Sequence, residues 1–505
     1  MAILKVCGIE TEYGIVTRGF DVSPVTSSSM LINAYAGSMR QKIGWDFLDE
    51  HPSADARGTV TEASFPPEIE THLVNAVLTN GARYYVDHAH PEVSTPECLT
   101  PRDVVLYDRA AEEIILRSIA SVNALLPDGQ EIGTFKNNSD GKGNSYGCHE
   151  NYLVSRELAF GRLASHITTH FVTRQIFCGA GKVGSENGAP DVPFQISQRA
   201  DFFEEEVGLE TTVKRPIVNT RDEPHCDPLK YRRLHVIVGD ANMSEVATFL
   251  KVGTTALILA MIEDDQFPDW LTLRHPVTHI RSVSHDISLT STCELQDGRK
   301  MTALEIQEQL LGLCQRYVRS YGDPTSGDAD EILREWESVL DCLKNNPEDA
   351  ADRVDWIAKR RVLEGFALRH GVSPLSAQLR AIDLQYHDMR LDKCLALRVG
   401  LRTLVSIDDV HRAVTNPPPD TRAYFRGTCL ARWPQNIVAA NWDSIVIDTG
   451  DEILRRIPMM EPLKGTRAIV GELLNAVNSV EDLLLSLGST DTPGWDPLMT
   501  PEPGW

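Results

Sequence analysis

Two glutamates, Glu10 and Glu12, close an apolar run that begins at Ile3. On a strand, residues two apart point to the same face, so both carboxylates would share one side of a sheet. Like charges that close repel and raise each other's pKa unless a cation neutralises them. Magnesium, which takes carboxylates together with substrate phosphates, is the natural counterion. The same period aligns Arg83, Tyr85 and Asp87 on a short run from Gly81 to Asp87, and His88, His90, Glu92, Thr95 and Glu97 follow closely. A third cluster, from Lys136 to Asn151, mixes glycines with amides, lysines and acids that can ring a nucleotide or a metal. A fourth, Arg232-Arg233-Leu234-His235, sets Arg233 and His235 on one face of a strand otherwise filled with Val and Ile, a possible wall for phosphate and metal. Last, Arg422 and Arg426 are four apart, so one helical turn aims both the same way, as bidentate phosphate binding needs.

The elements that must position these groups are strands alternating with long helices in no βαβ rhythm, which predicts an α+β fold. Strand patterns cover Ile3 to Ile9, Arg83 to Asp87, Ser145 to Val154 and Tyr231 to Gly239. Helical patterns cover Ala159 to Cys178, Asn242 to Glu263 and Asp328 to Lys344. Between 44 and 70 no periodicity survives: seven acids face one base, Arg57, and Pro66-Pro67 blocks a helix. This insertion, counted from about 37 to 71, is expected to be a mobile loop lacking core-forming residues, and both its ends run into strands that carry acids. Pro417-Pro418-Pro419 precedes a separate small C-terminal unit with two short strands and an amphipathic helix from Gly465 onward, and the proline-rich stretch beyond 488 is expected to be a disordered tail.

Composition excludes several classes. The 505 residues carry 49 Lys+Arg against 72 Asp+Glu, a net charge of -23, which argues against a nucleic-acid binder. The longest near-apolar run, Val252 to Ile262, falls short of the ~20 residues a bilayer needs, and Glu10 and Glu12 interrupt the early apolar stretch that a signal peptide would require. Ten scattered cysteines with no C-x-x-C pair fit a reducing cytoplasm and no zinc site. Gly179 to Gly184 matches G-x-G-x-x-G but follows a helical pattern rather than a strand, so no dinucleotide fold is expected there. Gly143 to Gly147 matches G-x-S-x-G, yet a strand rather than a helix follows it, so no nucleophile elbow is expected.

Four segments together resemble one family, the glutamine-synthetase-like Pup ligases and depupylases: Gly8 to Gly14, Asn80 to Glu92, Ser145 to Tyr152, and Thr421 to Gly427. The insertion with Trp45-Asp46 and Asp55-Ala56-Arg57-Gly58, and the wording of Val86 to Glu92, resemble the depupylase branch. The resemblance implies a curved antiparallel sheet cradling Mg·ATP within residues 1–430, a small C-terminal domain over 431–487, and a tail over 488–505. It implies an ATP- and magnesium-dependent hydrolase that deamidates the C-terminal glutamine of the small protein tag Pup and cleaves the isopeptide bond between Pup and lysine in the bacterial proteasome pathway. Its partners would be Pup and pupylated proteins, with neither nucleic acid nor membrane. Asp87 would be the catalytic carboxylate, as nucleophile or as general base. Glu10, Glu12, Tyr85, Glu92 and His235 would hold magnesium; Arg83, Thr95 and Trp442 would contact the nucleotide, with Arg422 and Arg426 on its phosphates. His149 or Glu150 would complete the site. The alternatives are a Pup–protein ligase and a non-catalytic Pup-binding regulator.

Overall fold

The strand that carries Glu10 and Glu12 lies inside a six-stranded sheet. The computed structural model describes residues 1–37, 42–48, 50–51, 53–58, 74–451 and 453–488; the rest of the expected mobile loop, and the expected tail beyond 488, lie outside the described residues. The strands are β1 (Cys7–Glu12), β2 (Asn75–Val77), β3 (Arg83–Asp87), β4 (His90–Ser94), β5 (Cys148–Ser155) and β6 (Tyr231–Val236). They run in the order β6-β5-β1-β4-β3-β2, each pair antiparallel, in the α+β arrangement the sequence predicts.

Alternation divides the two faces. Ile9, Tyr84, Val86, Val93, Tyr152, Leu234 and Val236 turn one way and are buried. Helices α1 (Pro24–Ala36), α2 (Pro101–Asn123) and α3 (Glu245–Glu263) pack against the sheet. Each such side chain contributes about 1.5–3 kcal/mol when fully buried, so this face fixes the register and leaves the other for polar groups. Helix α3 has the length and apolarity of a membrane span, but its apolar window is 100% buried, which makes it the core helix. Its N-cap is Ser244, whose hydroxyl accepts from the Ala247 amide, two residues beyond the expected Asn242; Asn242 instead donates to the Cys178 carbonyl and Asp355.

Two further expectations need correction. Strand β1 begins at Cys7 rather than Ile3, because the Ile3 amide donates to Glu263 and Lys5 pairs with the same carboxylate at the end of α3. The insertion also contains a strand and core residues. Gly44–Trp45 pairs parallel to Ile437–Ala440, adding a fourth strand to a sheet completed by Ser444–Ile447 and Arg455–Pro458. Trp45 is buried with Ile43, Phe425 and Ile437, and the Val77 amide donates to the Ile43 carbonyl at 3.1 Å. The start of the insertion therefore joins the six-stranded sheet to the C-terminal one. That C-terminal region holds three strands of its own and two helices, Arg467–Ala476 and Val480–Gly488, one strand and one helix more than its pattern predicts.

Candidate active site

Register carries the expected residues to one place. On β1, Glu10 stands opposite Ser94 of β4 and His149 of β5, and Glu12 opposite Glu92. On β3, Tyr85 stands opposite Glu92 and Asp87 opposite His90; on β6, His235 stands opposite Asn151. Because the side-chain period is 2, all of these share the face away from the helices.

They form two clusters. Ligand-type atoms of Glu12, Asp87 and Glu92 lie within 4.8 Å of one another, and so do those of Glu10, His149 and His235. In the first, burial pushes the Glu92 carboxyl well above its ordinary value, and the charges of Asp87, Glu12 and Glu10 push it further. Glu12 behaves oppositely. Burial alone would raise it, but hydrogen bonding from His90, the nearby His149 and the Gly147 amide at 2.7 Å hold it down. A cation beside the Glu12 and Glu92 oxygens would relieve the crowding that Glu92 suffers, and carboxylate oxygens suit a hard divalent ion such as magnesium.

In the second cluster, burial likewise opposes ionisation of Glu10, yet His149, whose Nδ1 lies 3.6 Å from its carboxylate, and the Arg233 guanidinium keep it well below the usual carboxylate range. Asn151 donates to Glu10 at 2.8 Å. Burial pushes His235 well below its ordinary value, so its imidazole is neutral; its Nδ1 lies 3.1 Å from Asn151 Oδ1. Tyr85 stays a phenol, raised first by burial and then by Glu92 and Glu10, with its hydroxyl 3.3 Å from Ser94 Oγ.

Asp87 is the most accessible acid of the two clusters, with 38% of its side chain exposed at the tip of the β3–β4 hairpin. The turn between the strands is only His88-Ala89, and His88 takes a left-handed backbone with φ 50°. Its Nδ1 reaches Asp87 Oδ2 at 2.9 Å, and Ser28 of α1 donates to the Ala89 carbonyl at 2.8 Å. The hairpin is thus pinned while its carboxylate stays open to an incoming carbonyl.

Beside the clusters is a cleft enclosing about 580 Å³, open solvent at its mouth included. Glu10, Asn151 and Arg233 line its polar part; Val6, Leu153, Trp442 and Pro462 line its apolar part. Thr95 borders it, its hydroxyl accepting from the Ile9 amide at 3.0 Å. Arg83 lies 4.0 Å from the ring centres of both Trp45 and Tyr85, and Trp442 meets Trp45 edge-on at 5.2 Å. The insertion therefore supplies a wall beside the expected nucleotide residues.

Arg422 and Arg426 do point the same way from the start of the helix Ala423–Arg432, but their donors go to protein. Both bind Glu97; Arg422 also donates to the Met459 carbonyl, and Arg426 to those of Gly81 and Trp442. Arg426 is 1% exposed. Arg422 still borders the cleft; Arg426 does not line it.

Of the pair His149 and Glu150, the structure brings only His149 into the site. Glu150 faces the core in a buried ion pair with Arg174 at 2.6 Å. Lys136, from the third cluster, is buried between Asp108 and Glu112. Arg233, Asn151 and Glu97 have larger parts than their types suggest, and strand alternation from His149 points directly to Asn151. Gly147 is required here, since a Cβ on it would be driven into the His149 ring while its amide holds Glu12. Gly147→Ala should lower turnover by about tenfold or more, the cost of misplacing a supporting group, with little change in thermal stability. A variant as active as the parent would show that His149 is not held by this contact.

Together, the fold and this face define an antiparallel-sheet enzyme with two clusters of ionisable side chains beside an open cleft. The chain belongs to the Pup-ligase protein family, whose sequence model matches residues 5–446. It is 48% identical over 498 residues to the depupylase of Acidothermus cellulolyticus, covering 96% of this chain and 99% of that one. It is 46% identical over 500 residues to the Pup deamidase/depupylase of Mycolicibacterium smegmatis, with the same coverage. Among solved structures it is similar to the Pup ligase PafA in complex with Pup, with TM-score 0.78, 28% identity and 99% of each chain covered. It is also similar to PafA in complex with ADP, with TM-score 0.72, 32% identity, and 79% of this chain and 89% of that one covered.

Proposed function

We propose that this chain is a hydrolase of the Pup pathway that deamidates the C-terminal glutamine of Pup and cleaves the Pup–lysine isopeptide bond. The observation that carries this reading is identity of 48% and 46% to proteins named as depupylases over 99% of their length, against 39% and 38% to proteins named as Pup–protein ligases over 90% of theirs. Both reactions break a C–N bond at the same γ-carbonyl, so one exposed carboxylate serves both.

Asp87 is that carboxylate. As nucleophile, its oxygen joins the carbonyl carbon, the amine leaves with a proton, and water opens the resulting anhydride to return glutamate and free Asp87. As general base, it takes a proton from water while the water oxygen adds to the carbon, and the proton goes on to the leaving amine. His88 orients the carboxylate in either case. Glu12 and Glu92, with Glu10 and His235, hold magnesium, and Tyr85 remains a neutral phenol donor beside Glu92. Arg83, Thr95 and Trp442 hold ATP at the cleft, Arg422 borders it, and Arg426 positions Trp442 through its carbonyl. When bound, magnesium and ATP supply the charge that polarises the carbonyl and stabilises the oxyanion. All ten cysteines are free thiols, which supports a cytoplasmic enzyme.

Glu10→Ala or Glu92→Ala should weaken magnesium-dependent ATP binding about tenfold or more, since even outer partners of a metal are worth about 10–100-fold. Affinity that stays unchanged across a magnesium titration would remove these residues from the metal set. The activity itself is tested with a lysine-linked Pup conjugate: the chain should cleave it in the presence of ATP, whereas a ligase would instead build conjugate from Pup ending in glutamate.

A further inference from the structure

His225 lines the cleft from outside both the six-stranded sheet and the two clusters. His225 follows Pro224 and holds φ 48°, a left-handed backbone that bulky side chains rarely take. Of the described non-glycine residues with positive φ, it is the one that lines this cleft. The segment before it is held firmly enough to sustain that conformation. The Ala56 amide donates to the Thr220 carbonyl at 2.8 Å, the Asp222 amide to the Ala54 carbonyl at 2.9 Å, and the His51 amide to Glu223 at 2.5 Å. Arg233 donates to the Glu223 carbonyl at 2.6 Å.

The imidazole itself is left for something else. Its Nε2 stands 3.9 Å from Glu223 Oε2, beyond hydrogen-bond reach, and no hydrogen bond among the described residues engages the ring. Burial, and then the charges of Arg233, Arg422 and Arg83, push it well below its ordinary pKa, with Glu10 opposing weakly. A neutral imidazole carries one N–H and one bare lone pair. Three cations surround it already, so for phosphate it adds little. Its lone pair suits an uncharged donor instead.

We propose that His225 reads the nucleoside half of the nucleotide, accepting a hydrogen bond from the ribose 2′-hydroxyl or from the amino group of the base. This rests on the nucleotide reading given above.

The test is calorimetric binding of ATP, 2′-deoxy-ATP and inosine triphosphate, which lacks the base amino group, to the parent chain and to His225→Gly. Glycine holds this φ without strain, and melting curves of both proteins check the fold. His225→Asn, which also tolerates the left-handed region, replaces it if glycine does not fold. The parent should prefer ATP over one of the analogues by about tenfold, the scale of one net hydrogen bond, and the variant should not. Loss of preference against 2′-deoxy-ATP assigns the ribose; loss against inosine triphosphate assigns the base. A parent without preference, or a variant that keeps it, overturns the role of His225 alone. A parent that binds no ATP at all overturns the nucleotide reading and this inference with it.

Discussion

Asp87→Asn should abolish ammonia release from Pup ending in glutamine while leaving Mg·ATP binding largely intact. The amide keeps the shape of the carboxylate and can still hydrogen bond to His88, but it is neither a competent nucleophile nor a base. The loss should be at least about 10²-fold, the lower end of what a positioned base contributes. Nucleotide binding should survive because Asp87 sits at the open tip of the hairpin, with 38% of its side chain exposed, and does not line the cleft. Removing its charge also relieves the buried Glu92, which that charge pushes upward. Isopeptide cleavage should fall in parallel, since both bonds meet the same carboxylate. Turnover near the parent's would take Asp87 out of the chemistry.

The second large effect is on stability. Glu97→Gln should destabilise the fold by about 3–5 kcal/mol, the usual cost of breaking a buried ion pair from one side. Glu97 alone receives both Arg422 and Arg426, which are 3% and 1% exposed, and Arg426 goes on to the Gly81 and Trp442 carbonyls. Burial by itself would raise the Glu97 carboxyl; the charges and hydrogen bonds of Arg426 and Arg422 outweigh it and hold the pKa down at about 2. A depressed carboxylate stabilises the fold above its unfolded pKa and loses that contribution as pH falls towards its folded one. The stability gap between parent and variant should therefore be full above about pH 5 and close as the pH approaches about 2. Urea titrations at several pH values read it directly. An unchanged midpoint at neutral pH would mean that the cluster is not the clasp it forms in the structure.

The site was more legible than the packing around it. Period-2 spacing on β1 and β3 was enough to place Glu10 with Glu12 and Tyr85 with Asp87, because strand alternation is a local rule. The same rule separates His149 from Glu150, which turns to Arg174 in the core. What spacing cannot supply is the partner across the molecule. Arg422 and Arg426 do share a side of a helical turn, but their counter-charge, Glu97, lies more than three hundred residues earlier in the chain. Gly44–Trp45 escaped because a two-residue strand has no period to detect; its pairing comes from Ile437–Ala440, far along the chain. Ile3 to Lys5 reads as strand by composition, yet the Ile3 amide and the Lys5 ammonium go to Glu263 at the end of α3 rather than to a ladder. His225 carries no pattern at all, only a histidine after a proline, and its place in the cleft is set by the hydrogen bonds that hold the segment before it.

The measurement that meets the central claim most directly is mass spectrometry of Pup ending in glutamine after incubation with the chain, with and without Mg·ATP. The account predicts conversion of the terminal glutamine to glutamate with ammonia released, dependent on nucleotide and absent in Asp87→Asn. Pup recovered with its glutamine intact after prolonged incubation with the folded, nucleotide-bound chain would contradict it.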